Sequence, residues 1–150
     1  MSTQWLTVRS FQQSQELLGA INTLSIHLKL GLAGVQDKER EAEAKASRNT
    51  LREFLTELDK FIQTAGDKGN RPVTGTDART RQLARSFVQA RRDRGHYKSQ
   101  LFQSSPALVR DLLASQDPNT QKVLLESLDE LRSLLEAHIH TDARKILGEI

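Results

Sequence analysis

The spacing of leucine and isoleucine is the strongest constraint on the fold of this chain of 150 residues. Between residues 8 and 35, one set of apolar side chains falls within about 80° when each residue is turned by 100°, as in an α-helix. This set is Leu17, Ile21, Leu24, Leu28, Leu32 and Val35. A short alternation of apolar and polar residues in the same segment resembles a strand, but the longer stripe predicts a helix. Gly31 and Gly34 are the weak points where this helix bends or stops.

Residues 37–48 are strong helix formers with almost nothing to bury, and Glu41 and Lys45 are spaced to support each other one turn apart. We expect a solvated stretch of helix there. Apolar residues then return on one face about 120° wide. They are Leu51, Phe54, Leu55, Leu58, Phe61, Ile62 and Ala65. Together the two segments predict a long antiparallel helical hairpin over about residues 8–65.

Turn-forming residues divide the rest of the chain. Residues 66–76 contain three glycines and one proline, which predicts a hinge loop. A helix over residues 77–94 follows and ends at a glycine. Two later positions combine an N-cap residue with a proline in the first turn, which is typical of a helix start. These are Ser105-Pro106 and Asp117-Pro118.

The elements together predict an all-α fold, a bundle of about five helices with the long N-terminal hairpin. We expect a single domain over residues 1–150, in which the hairpin and hinge loop precede C-terminal helices in residues 77–150. The chain has no cysteine, which excludes disulfides and thiolate chemistry and agrees with a cytoplasmic location. No apolar run reaches the roughly 18 residues that a membrane span needs, so we expect no membrane association.

The motifs of common enzymes do not occur in this sequence. None of the eight glycines is followed by lysine, and neither G-x-G-x-x-G nor G-x-S-x-G is present. We therefore expect no enzymatic activity, no catalytic residue and no cofactor. An enzyme whose site is dispersed over the chain is the remaining alternative in this class.

His138 and Asp142 stand one turn apart on the predicted final helix and fall on its apolar stripe. That spacing would supply two ligands of a metal site between helices, but such sites also need Glu-x-x-His motifs that this chain lacks. A buried or half-buried structural pair is the favoured interpretation, and no metal is expected. A pH-sensitive contact is a further alternative, because histidine titrates near neutrality.

The positive charge of the chain is concentrated in one segment. The net charge is +3, yet residues 67–100 carry nine positive and three negative side chains. Residues 101–150 carry five positive and eight negative ones. Such an asymmetry indicates an anionic partner or an attraction between two parts of one fold.

Within the basic segment the arginines form a stripe. Leu83, Phe87 and Ala90 share one face of the predicted helix and are expected to face the core. Arg81, Arg85 and Arg92 lie about 160° away, where their guanidinium forks would reach phosphates. The full candidate set for binding an anion or a nucleic acid is Arg79, Arg81, Arg85, Arg91, Arg92 and Lys98, with Tyr97 as a ring that would stack on an unpaired base. Neutralisation of the acidic final helix and an ordinary solvated face remain open alternatives.

The first helix has a second apolar face. Ile26 and Leu30 lie opposite the main stripe, and a helix that is apolar on two sides is usually central in a bundle or shared with a partner. These two residues are the candidate protein interface.

The resulting hypothesis is a non-enzymatic helical interaction subunit of a larger assembly, whose arginine-rich helix contacts an anionic partner. The expected partners are other protein subunits or a second copy of the chain, and RNA or DNA bound through its backbone. The alternative is a protein-only adaptor or scaffold that self-associates or binds a partner helix through its leucine-rich faces.

Overall fold

The computed structural model describes residues 2–36, 38–68, 99 and 105–148, and no strand occurs in these ranges. They form four α-helices and a 3-10 turn over Lys38–Arg40. The α-helices are α1 (Ser2–Leu32), α2 (Glu41–Lys68), α3 (Pro106–Leu112) and α4 (Pro118–Ile146). The prediction of an all-α fold is confirmed. The fifth helix, predicted over residues 77–94, lies outside the described residues. None of the described helices is long and apolar enough to cross a membrane.

The end of α1 is closed by a glycine. Gly34 has a φ of 82°, in the left-handed region that residues with a Cβ rarely adopt. The Val35 N–H donates to the Leu30 carbonyl over 2.9 Å, and the Gly34 N–H donates to the Gly31 carbonyl over 3.1 Å. This is the Schellman arrangement of a helix C-terminus. The predicted stop is confirmed, but Val35 lies beyond the helix and is 49% exposed, so its expected place on the core stripe is wrong.

The two predicted starts at proline are confirmed. The side chain of Ser105 accepts a hydrogen bond from the Leu108 N–H over 3.2 Å and caps α3. The carboxylate of Asp117 accepts from the Thr120 N–H over 3.1 Å and caps α4. In both helices the proline occupies the first turn, where no backbone N–H is needed.

The core lies where α1 packs on α2 and α4, with α3 packed against α2 and α4. The buried stripe of α1 is the one that the sequence predicts as far as Leu28, while Leu32 is only half-buried. Each other helix contributes its own apolar face. The core residues are Leu17, Ala20, Ile21, Leu24, Leu28, Leu51, Leu55, Leu58, Val109, Leu113, Leu124, Leu128, Leu131 and Leu135.

The first turns of α2 differ from the solvated stretch that the sequence predicts. Ala44 is fully buried and Ser47 is 7% exposed. Ala44 lies two turns and Ser47 one turn before Leu51, on the face where Leu51 is buried. This part of the helix therefore packs against the rest of the bundle through small side chains, although it carries almost no large apolar residue.

Arg132 joins α4 to α1. Its guanidinium donates to Asn22 Oδ1 over 2.8 Å and to Ser25 Oγ over 3.1 Å, both on α1. A third bond runs to Asp129 Oδ1 over 2.9 Å on α4 itself. The planar fork thus fixes the spacing of the two helices beside the core.

Truncation of the central core residue Leu24 is expected to be costly. Leu24 is fully buried, so Leu24→Ala removes its apolar contacts and leaves a cavity, which lowers the free energy of unfolding by about 2–5 kcal/mol. The matched control is Ile26→Ala on the same helix, where the side chain is 46% exposed and the expected change is below about 1 kcal/mol. Urea denaturation followed by circular dichroism measures both, and equal losses would contradict the assigned orientation of α1.

Candidate functional site

A polar cleft lies at one end of the bundle, between the last turns of α1, the first turns of α2 and the loop that joins α3 to α4. Its volume is about 500 Å³. We call it the end cleft. It is lined by His27, Glu41, Lys45, Arg48, Leu113, Ala114, Ser115, Gln116 and Gln121.

Three charged residues of α2 reach the end cleft because of their spacing. Glu41, Lys45 and Arg48 are four and three residues apart and fall within about 60° of the helix circumference. This face borders the buried stripe that contains Ala44 and Leu51. Arg48 is half-buried at the edge of the core, whereas the side chains of Glu41 and Lys45 are exposed at the rim of the end cleft.

Two nitrogen atoms at the end cleft are buried without a hydrogen-bond partner among the described residues. They are Nδ1 of His27 and Nε of Arg48. Burial lowers the pKa of the Arg48 guanidinium below its usual value, but arginine stays cationic at neutral pH. A buried donor that lacks an acceptor is costly, because its hydrogen bond to water is lost and not replaced.

The charges of the end cleft are not paired with each other. In the described parts of the chain, Glu41, Lys45 and Arg48 take part in no ion pair. The predicted support between Glu41 and Lys45 therefore does not take the form of a salt bridge. With two cations and one carboxylate, the lining carries a net positive charge even with His27 neutral.

The loop side of the end cleft is held in place by local hydrogen bonds. Ser115 Oγ accepts from the Asp117 N–H over 3.2 Å, and its own hydroxyl hydrogen remains able to donate. Asp117 in turn caps α4. The amide side chains of Gln116 and Gln121 add donors and acceptors on the same side.

The predicted anion-binding residues lie outside the described residues, and their role stays a prediction. They are Arg79, Arg81, Arg85, Arg91, Arg92, Tyr97 and Lys98. Ser99, the next residue, is described and is only 2% exposed. Its backbone N–H donates to Glu130 Oε2 on α4 over 3.1 Å.

The predicted protein interface lies on α1. Ile26 is 46% exposed and points about 170° away from the direction of the core residues of this helix. Leu30, one turn later, is half-buried. Their use as an interface stays a prediction.

His138 and Asp142 lie on α4 as the sequence predicts. Asp142 is 4% exposed and His138 is half-buried. Each takes part in a polar interaction in the structure. Within the described residues, no three His, Cys, Asp or Glu side chains come together in a way that would hold a metal ion.

The end cleft was not predicted from the sequence. The sequence predicts a solvated stretch for its α2 residues and no role for His27, whereas in the structure Arg48 is half-buried beside exposed Glu41 and Lys45. One feature of the sequence could have indicated the cleft. Glu41, Lys45 and Arg48 fall on one helix face beside the small residues Ala44 and Ser47, and a stripe of small residues next to a charged stripe indicates a packed helix with a polar edge.

Comparison of this chain with protein-family models, with curated proteins and with solved structures finds no match. The function is therefore inferred from the chain's own residues.

The two partly buried arginines are expected to respond in opposite ways to replacement by methionine. Arg48→Met removes a buried donor that has no partner, so the free energy of unfolding should stay within about 1 kcal/mol of the parent or rise. Arg132→Met breaks three hydrogen bonds and leaves Ser25 without its partner, so a loss of about 1–3 kcal/mol is expected. Urea denaturation measures both. A loss for Arg48→Met as large as that for Arg132→Met would show that Arg48 stabilises the fold.

Proposed function

We propose that this chain is a non-enzymatic helical subunit of a larger assembly that binds a nucleic-acid backbone through residues 67–100. The distribution of charge supports this proposal. The segment holds nine positive and three negative side chains in a chain whose net charge is only +3, so the rest of the chain is net negative. A focused positive segment attracts a polyanion, and the release of counterions makes such binding strong at low salt.

In this proposal, residues 77–94 form a fifth helix of the bundle, and α1 and α2 form its long hairpin. Arg81, Arg85 and Arg92 then share an outward stripe. Arg85 and Arg92 are about 10 Å apart along the helix axis, at 1.5 Å per residue. Their forks therefore reach different phosphates of one strand, and such contacts position a backbone without reading its bases.

The attachment of the basic segment to the bundle supports the proposal. The described part of α2 ends at Lys68, and the Ser99 N–H is bonded to Glu130 of α4. Both ends of the segment are thus joined to helices that pack around one core. A polyanion bound there would be held at a defined position relative to the rest of the assembly.

The test is the triple variant Arg81→Ala, Arg85→Ala, Arg92→Ala. Binding of a fluorescent single-stranded RNA and of a DNA duplex of mixed sequence is followed by anisotropy at several salt concentrations. Each lost phosphate contact should lower the slope of log affinity against log salt by about 0.7–0.9, so a decrease of about 2–3 is expected. Affinity should fall for every sequence alike.

The matched control is Lys38→Ala, Arg52→Ala, Lys122→Ala, which removes the same charge from exposed sites on the described helices. Its salt slope should stay near that of the parent. If both triple variants had the same salt slope, or if the arginine variant kept full affinity and lost only stability, the proposal would be contradicted. The basic segment would then serve to neutralise acidic side chains of its own fold.

The exposed face of Ile26 favours a second candidate function, a protein-only adaptor or scaffold. A side chain of this size that is 46% exposed, with half-buried Leu30 one turn away, offers an apolar strip to a partner helix or to a second copy. In that function the leucine-rich faces, and not the arginines, carry the affinity.

Ile26→Glu tests this second function by sedimentation velocity between low and high micromolar concentration. If the chain self-associates through this face, the parent should gain mass with concentration and the variant should stay monomeric. The control is Leu108→Glu on α3, a residue that is 39% exposed outside this face. A parent that is monomeric throughout, or equal effects of both variants, would contradict self-association through Ile26.

A further inference from the structure

We propose that the end cleft binds a small anionic ligand whose carboxylate or phosphate group is held by Arg48 and Lys45. None of its described lining residues belongs to residues 67–100, and the proposal does not depend on the proposed function. Its residues come from α1, the start of α2 and the loop between α3 and α4.

The size of the end cleft suits a small molecule. About 500 Å³ lies within the range of cavities that hold metabolite-sized ligands, which is roughly 300–1,000 Å³. Most of its lining side chains are polar or charged. A ligand that matches this lining is itself polar and small, and an apolar molecule would leave these groups without partners.

The unpartnered donors point to an anion. Arg48 has no hydrogen-bond acceptor among the described residues, and its Nε is buried. Because Nε is shielded from the cleft, an oxyanion there would accept from the terminal NH2 groups of Arg48 and from the ammonium group of Lys45, and bonds of this kind between charged groups are the strong ones. The half-buried ring of His27 and the Ser115 hydroxyl line the same cleft and would contact the rest of the ligand.

Another cleft in the described part of the chain provides a comparison. That cleft has a volume of about 250 Å³ and is lined in part by Lys29, Asp129 and Arg132. There the guanidinium of Arg132 already donates to Asn22, Ser25 and Asp129. The arginine of that cleft therefore has its partners within the protein, whereas Arg48 has none among the described residues.

The expected ligand chemistry is tested with two probes, inorganic phosphate and citrate, by isothermal titration calorimetry with the full chain. We expect one site with a Kd on the order of 1 mM for the better probe. The stronger of the two probes identifies whether a phosphate or a carboxylate is preferred. An NMR titration of the same protein should show the largest shifts at the amides around Arg48 and Ser115.

Arg48→Gln is expected to weaken binding of the better probe by about tenfold or more. The matched control is Arg52→Gln, which removes the same charge one turn later from an exposed side chain bonded only to Asn49. Its Kd should stay within about twofold of the parent, as should that of the triple arginine variant of residues 81–92.

A second pair of variants tests the place of binding without touching an arginine. Ala114→Glu puts a bulky negative side chain at the rim of the end cleft and should abolish binding, whereas Ala137→Glu on the exposed part of α4 should not. Circular dichroism checks that all variants keep their helical content. No binding of either probe by the parent at 50 mM, or equal losses in a variant and its control, would overturn the proposal.

Discussion

The packing of the buried stripe of α1 against α2 and α4 is the constraint on which the rest of the structure depends. Ile21 and Leu24 are fully buried at this junction, and burial of each such side chain contributes about 1.5–3 kcal/mol. The two sides of this stripe then meet different neighbours. On one side Asn22 and Ser25 bind Arg132 of α4, and on the other side His27 faces the end cleft beside α2. The rotation of α1 about its axis therefore sets both the polar contacts of the bundle and the position of its cleft.

The two partly buried arginines show two outcomes for a polar group at the edge of a core. It either stabilises the fold through internal hydrogen bonds or remains able to bind a ligand. Arg132 has acceptors for its fork within the protein, so its desolvation is offset by three hydrogen bonds. Arg48 is desolvated without such acceptors among the described residues, and the same burial lowers its pKa. An apolar side chain of similar length would fill that place without an unsatisfied donor. The anionic ligand proposed for the end cleft would supply an acceptor for the rest of this guanidinium.

The sequence predicts those parts of the fold that local rules determine. The α1 stripe from Leu17 to Leu28, the stop near Gly34 and the starts at Pro106 and Pro118 each follow from spacing or from the chemistry of a cap, and each is confirmed. The burial of Ala44 is of another kind. It depends on how the neighbouring helices pack against α2, and the spacing of large apolar residues does not reveal this. The end cleft was missed for the same reason, because His27, Arg48 and Ser115 meet only through tertiary packing.

The walls of the end cleft are nevertheless held by local motifs, and these motifs affect which kind of ligand the cleft can bind. The glycine turn at Gly34 ends α1, and the start of α2 lies beside His27 in the lining of the cleft. The Asp117 cap and its bond to Ser115 hold the opposite wall. A concave site with walls fixed in this way loses little entropy when it orders a small ligand, so a few charge-assisted bonds suffice for binding. A polyanion is bound instead by a row of cations that follows its phosphates, which is the pattern that the sequence predicts for Arg81, Arg85 and Arg92. The two proposed sites therefore suit different ligands, a small anion and a polyanion, although both depend on positive charge.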